Sequence, residues 1–429
     1  MKARLQRWQW CKVGLVKNSA KLLSANVVAQ AIGLAVYPIL TRLYSPDDFG
    51  LLNLFLSIAG VLLLFATGQY HCSIVLPATL QQGKACFQVG MLFNTVVVAL
   101  CAISLLFAPQ IADIFNTPKL AEWYFLLPFY VFSMSLWHLL NYWLVRQKMF
   151  AHISLYQVLQ SVLNAGQKVL YGSFGFLHGG LLVSVAVAPY IALSAIVAAS
   201  YSSIKELFVV DKKQCVAMAR AYRKFPQYTL PKALVNYLSN NLPILLLVPF
   251  FGLTEVGYFG MAIALAHTPI NQVCASLYQV LYQYTADKVN QKASIGPFFK
   301  KMIVLAGLGI VVVFTVLYFL VPSLVTWLLG AEWAVAGTYV QIILPWLAVV
   351  CIYSTIDFVI DVFGKQDKQF YFEGVLLVLR IAGLAWGIYR QDFMWAVLCF
   401  SMASAFLRLV YVGYQCSLIK KYEKERANS

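Results

Sequence analysis

Apolar residues run in blocks of roughly 18–25 positions separated by short polar stretches, the length at which a helix crosses about 30 Å of hydrocarbon. Twelve spans are predicted, over residues 19–41, 50–70, 86–108, 122–145, 153–177, 180–200, 230–251, 257–282, 302–328, 336–361, 369–389 and 393–418. The longest polar interval, 201–229, separates the sixth span from the seventh. The pattern therefore predicts an all-α polytopic membrane protein, with twelve transmembrane helices in two six-helix bundles around a central cavity. Its segments are a cytoplasmic stretch at 1–18, a first bundle at 19–200, a cytoplasmic linker at 201–229, a second bundle at 230–418 and a tail at 419–429. Within the linker, Cys215, Met218, Ala219, Tyr222 and Phe225 recur at helical spacing beneath Lys212, Lys213, Arg220, Arg223 and Lys224. That spacing predicts an amphipathic helix lying on the inner membrane face.

The two halves echo each other. Asn26 and Gln30 in the first span match Asn236 and Asn240 in the seventh at an offset of 210, and Asp48-Phe49-Gly50 matches Glu255-Val256-Gly257 at 207. With six spans in each half, these would be parallel repeats, an arrangement in which transporters place the substrate site between the halves.

Composition agrees with this class: 61% of the 429 residues are hydrophobic and 11% charged, where a soluble domain carries about 25% charged residues. The formal charge of +16 could suggest nucleic acid, but its location excludes that reading. With a cytoplasmic N terminus, 26 of the 32 Lys and Arg residues fall on the cytoplasmic side, and only Arg42, Lys119 and Arg390 on the other. This asymmetry orients the chain with both termini inside. The N-terminal stretch lacks a short apolar core with a small-residue cleavage site, so the first span is expected to direct insertion and remain. Nine cysteines without a CxxC pair read as apolar filler, with no metal site.

Candidate chemistry lies inside the spans. Gln157, Gln160, Asn164, Gln167, Lys168 and Tyr171 share one face of the fifth, which should meet water or protein rather than lipid. Asn236 and Asn240 lie before Pro243 in the seventh span, His138 and Asn141 in the fourth, and His267 and Asn271 in the eighth. An ionised side chain near the bilayer centre costs at least about 2.5–3.5 kcal/mol, which makes Lys168, Arg380 and the shallower Arg408 functional candidates. Deep positive charge suits an anionic substrate. The competing reading is internal pairing, for instance of Asp357 with Arg380. Asp357 and His138 are the candidates for coupling to an ion. HExxH, GxSxG, P-loop and GxGxxG patterns are absent, so neither an enzyme nor a cofactor is expected.

Two segments resemble the bacterial polysaccharide-transport flippases of the multidrug, oligosaccharidyl-lipid and polysaccharide exporter superfamily. One is Pro38-Ile-Leu-Thr-Arg-Leu-Tyr-Ser-Pro-Asp-Asp-Phe-Gly50, continuing through Thr67-Gly68-Gln69-Tyr70 to Ile74-Val75-Leu76-Pro77. The other is Phe225-Pro226-Gln227-Tyr228-Thr229-Leu230-Pro231, continuing to Pro243, Gly252, Gly257 and Pro269. The chain departs from the family in having Gly68-Gln69-Tyr70-His71 where Gly-Arg-Tyr-Glu is common, and Ala264 where Arg is common. The resemblance implies transfer of an undecaprenyl-pyrophosphate-linked oligosaccharide, of O-antigen or capsule type, across the bacterial inner membrane. It also implies a cavity lined by the first, second, seventh and eighth spans, with Arg42 and Gly50 on motif positions. A proton or sodium gradient would drive transport, and a glycan polymerase with its chain-length machinery would act downstream. The candidate substrate-binding set is Lys168, Arg380, Arg408, Arg42, Gln30, Asn164, Asn236 and Asn240. A drug or cation antiporter of the same fold and a membrane glycan polymerase or ligase are the alternatives.

Overall fold

The computed structural model describes residues 24–208, 211–291 and 293–427. The segment 1–18, the first five residues of the expected first span and the last two of the tail lie outside the described residues. Among the described residues every regular element is helical. The long helices are α1 (Ser24–Leu43), α2 (Pro46–Ala66), α3 (Leu80–Ile103), α4 (Leu126–Arg146), α5 (Phe150–Ser173), α6 (Leu177–Ala199), α7 (Leu230–Ala262), α8 (Thr268–Asn290), α9 (Gly296–Leu329), α10 (Ala334–Ser354), α11 (Gln366–Tyr389) and α12 (Phe393–Ala427).

Nine helical stretches among the described residues are long and apolar enough to cross a membrane. The other expected spans fail to stand separately for two reasons. α4 and α5 form where expected, but His138, Asn141 and Arg146 in one, and the Gln/Asn/Lys stripe in the other, lower their apolarity. The expected seventh and eighth spans join into one stretch, Phe225–Ala275, interrupted at Gly252, whose φ of 81° only glycine adopts readily. α9 shows why the chain needs lipid: Val311, Val312 and Val313 are successive in sequence, so they point around the helix, and all three are exposed.

The chain divides into two compact units, one ending at Tyr237 and the other beginning at Leu238. In the first, Ser45 caps α2: its hydroxyl accepts from the Asp48 N–H, and the Asp48 carboxylate accepts from the Ser45 N–H at 2.9 Å. Pro46 begins the helix, where its missing N–H costs nothing. Just before the cap, Tyr44 donates to the Lys168 carbonyl at 2.7 Å. Gly172 and Gly180 leave room for its ring, since a Cβ on Gly180 would lie 2.5 Å from the Tyr44 hydroxyl. The motif at 38–50 is thus a joint fixing α5 against the α1–α2 corner. Arg146, at the end of α4, donates to the carbonyls of Ile74, Pro77 and Thr79 at 2.7–2.9 Å and clamps the turn after α2.

The linker helix, Lys212–Ala221, forms as expected but meets a different surface. Met218 and Tyr222 pack on the core around Phe87, Trp143 and Ile204, and Cys215 donates to Gln88 of α3 at 3.1 Å. Its apolar face is used by protein rather than by the membrane surface. The eight cysteines among the described residues are free thiols.

In the second unit, α11 and α12 approach through small residues, as helices in lipid do when packing must replace the hydrophobic effect. A Cβ on Gly387 would lie 2.3 Å from the Ala396 Cα, a clash with backbone that rotamer changes cannot relieve. Gly387→Val is therefore expected to destabilise the protein by at least about 1–3 kcal/mol, the usual cost of overpacking. Gly374→Ala on the same helix meets nothing within 4 Å and should be neutral. Thermal unfolding of the detergent-solubilised protein checks both.

Candidate functional site

The polar stripe of α5 turns toward α1. Gln160, Ser161, Asn164 and Lys168 line, with Gly33 and Tyr37, a cavity of about 190 Å³. That volume holds several waters at about 30 Å³ each, or a compact polar group. Ser161 anchors the wall by donating to the Ala29 carbonyl at 2.7 Å. Lys168 is half-buried, and its ammonium has no hydrogen bond or ion pair with any described residue. Gln157 and Gln167 each keep a buried side-chain oxygen without a partner. Among the described residues, the polar face of α5 thus keeps unspent hydrogen-bonding capacity and a positive charge without an ion pair.

The second unit treats its cations differently. Arg380 is 0% exposed, so the expected direct contact with substrate is corrected: enclosure by α7, α10 and α12 removes it from any surface. It is also not paired with Asp357. Its Nε donates to Ser404 at 2.8 Å and its Nη1 to the Ser239 carbonyl and hydroxyl at 2.9 and 2.8 Å. Arg408 does line a cavity, of about 170 Å³, with Asn240, His267, Asn271, Trp346 and Tyr353. Its guanidinium lies 4.6 Å from the Tyr353 ring centre and 3.7 Å from Glu373, so it is partly neutralised. Asp357, the expected coupling residue, accepts a hydrogen bond from Tyr353, and Asp361 accepts one from Tyr278 at 2.6 Å.

Lys168 and Arg380 occupy matching places. Each lies on the fifth long helix of its half and faces the first, and they are 212 residues apart, close to the offset of the sequence echoes. His138 gains a partner that spacing gives no reason to expect: the His71 ring centre lies 5.7 Å away, and His71 Nδ1 is 2.7 Å from the Thr67 hydroxyl. In the turn Tyr70–Ser73, burial and then the neighbouring His138 push the His71 imidazole down to about 4, leaving it neutral near pH 7. Arg42 and Asn236 are exposed and Gln30 half-buried; none of the three lines the α1–α5 cavity. Sequence reasoning also missed Trp346, Phe400 and Tyr353, the aromatic faces beneath the two arginines, because apolar-looking positions give no sign of a cation above them.

A family model described as polysaccharide biosynthesis protein matches residues 39–337. The succinoglycan biosynthesis transport protein ExoT of Rhizobium meliloti (strain 1021) is 23% identical over 252 residues, 57% of this chain and 48% of that protein. The matched region thus spans about half the length of this curated relative. Among solved structures, the inward-facing conformation of a multidrug resistance MATE family transporter of the MOP superfamily has a TM-score of 0.71 at 13% identity, covering 94% of this chain and 96% of that one. The lipid II flippase MurJ in an inward closed conformation has a TM-score of 0.72 at 12% identity, covering 96% and 91%. At such identities these two show a shared fold.

Proposed function

The chain belongs to the polysaccharide biosynthesis protein family, and from that premise we propose that it is a flippase for an undecaprenyl-pyrophosphate-linked oligosaccharide repeat unit, of O-antigen or capsule type. It moves this lipid from the inner to the outer leaflet of the cytoplasmic membrane by alternating access. In this reading twelve helices span the bilayer in two six-helix bundles, with both termini cytoplasmic; the charge asymmetry of the loops supports the orientation. The observation that carries the function is the Lys168 ammonium, which has no ion pair with any described residue and lies beside a polar cavity within the helices. A pyrophosphate or acidic sugar would supply the missing counter-charge and accept from Asn164 and Gln160, while the isoprenoid tail stays in hydrocarbon. Arg408 and Asn240 form the corresponding anion-binding wall in the second unit.

Purified full-length protein in vesicles carrying a lectin-detectable polyprenyl-pyrophosphate oligosaccharide should render that lipid accessible from the far leaflet. Translocation no faster than in protein-free vesicles would defeat the proposal. Lengthened or transferred glycan would replace it with the polymerase or ligase reading.

A further inference from the structure

Pro243 lies inside α7. Lacking an N–H, it cannot bond to the carbonyl of Ser239 one turn earlier, and within a membrane such an orphaned acceptor is costly unless another group reaches it. Arg380 reaches it. Nη1 donates to the Ser239 carbonyl at 2.9 Å, to the Ser239 hydroxyl at 2.8 Å and to Asn240 Oδ1 at 3.1 Å, while Nε is held by Ser404 of α12 at 2.8 Å. The guanidinium carbon lies 4.6 Å from the Phe400 ring centre and 5.6 Å from that of Trp346. Neutral oxygens therefore hold Nε and Nη1 while aromatic faces flank the guanidinium, and Nη2 is buried without a hydrogen-bond partner among the described residues. The arrangement recurs in α9: Pro322 orphans the carbonyl of Tyr318, and Gln341 of α10 donates its Nε2 to that oxygen at 2.7 Å.

We propose that Arg380 is a positioning residue. It substitutes for the backbone donor lost at Pro243, fixes the Ser239–Pro243 turn of α7, and so holds Asn240 in the cavity wall shared with Arg408, His267 and Asn271. Gln341 does the same for the Pro322 break. The role calls for arginine because two donors must diverge from one rigid plane, one toward Ser404 and one toward Ser239; the single ammonium of lysine cannot span both.

The link between Arg380 and Asn240 rests on the flippase reading, whereas the brace itself does not. Two readouts on the full-length protein keep them apart: thermal unfolding after solubilisation, and glycan export normalised to membrane level. Arg380→Gln is expected to lower the unfolding temperature and to cut export about tenfold, the loss of one or two charge-assisted hydrogen bonds. Arg380→Lys should recover part of both. Pro243→Ala restores an N–H for the Ser239 carbonyl, so the Arg380→Gln penalty should shrink in that background but not with Pro322→Ala. Reciprocally, Pro322→Ala should relieve Gln341→Leu and Pro243→Ala should not, a cycle that stays readable if Arg380→Gln fails to fold. Equal Arg380→Gln penalties with proline or alanine at 243, or equal Gln341→Leu penalties at 322 if that variant alone can be read, would overturn the brace. Thermal coupling in a protein that moves no lipid-linked glycan would leave the brace standing and remove the flippase.

Discussion

Lys168→Gln is expected to reduce export of the surface glycan at least about tenfold, without lowering the amount or the thermal stability of the protein. The two halves of this expectation have one cause. The Lys168 ammonium has no partner among the described residues, so its removal breaks no native ion pair. Desolvating an unpaired charge opposes folding, and replacing it with a neutral amide of similar length is neutral to stabilising. A charged hydrogen bond to the passing phosphate or carboxylate contributes about 1.5–3 kcal/mol, a factor of about ten or more in rate if it is made in the occupied state. A residue that serves function at the expense of stability shows this opposed signature. Lys168→Arg keeps the charge and should retain most export. Full export by the Gln variant at normal membrane levels would remove Lys168 from the transport path.

Arg408→Met should have the reverse profile, with a large loss of stability. Arg408 is paired with Glu373 at 3.7 Å, and the Tyr353 ring it faces belongs to the side chain that donates to Asp357. Both side chains of that pair are mostly buried, at 15% and 22% exposure. Removing one member of a buried pair strands the other, at a cost of about 3–5 kcal/mol, and the lost contact with the Tyr353 ring adds to it. Replacing both, with Arg408→Met and Glu373→Gln together, should regain most of that stability. A single variant as stable as the parent would show that water, rather than Arg408, neutralises Glu373. Export by the stable double variant then reads the role of Arg408 as an anion-binding residue.

Much of this architecture was legible in the sequence because hydrocarbon imposes one strong rule: a backbone crossing lipid must satisfy its own hydrogen bonds, and a single segment does so as an apolar helix of about twenty residues. From the second helix on, the block pattern placed the helix starts to within about six residues, except that of α8, which begins at Thr268 rather than 257 because α7 continues through Gly252 to Ala262. The stripe Gln160, Asn164 and Lys168 could be assigned to one sheltered face, since 3.6-residue periodicity fixes which side chains share a direction. What periodicity does not carry is the identity of the opposing surface. The linker helix announced its apolar face, but not that Met218 and Tyr222 would pack on the α3–α4 core instead of lipid.

The sequence alone determined the class of the protein, its division near the middle, the direction of its charge bias and the placing of Lys168, Arg380 and Arg408 within long helices. Tertiary structure decided how each of those cations is balanced. Lys168 faces an open polar cavity, Arg408 meets Glu373 and an aromatic ring, and Arg380 is consumed by the Ser239 carbonyl that Pro243 leaves bare. The reason is that burying a charge is governed by groups within about 4 Å of it, and here those groups come from helices 24 to 141 residues away in the chain.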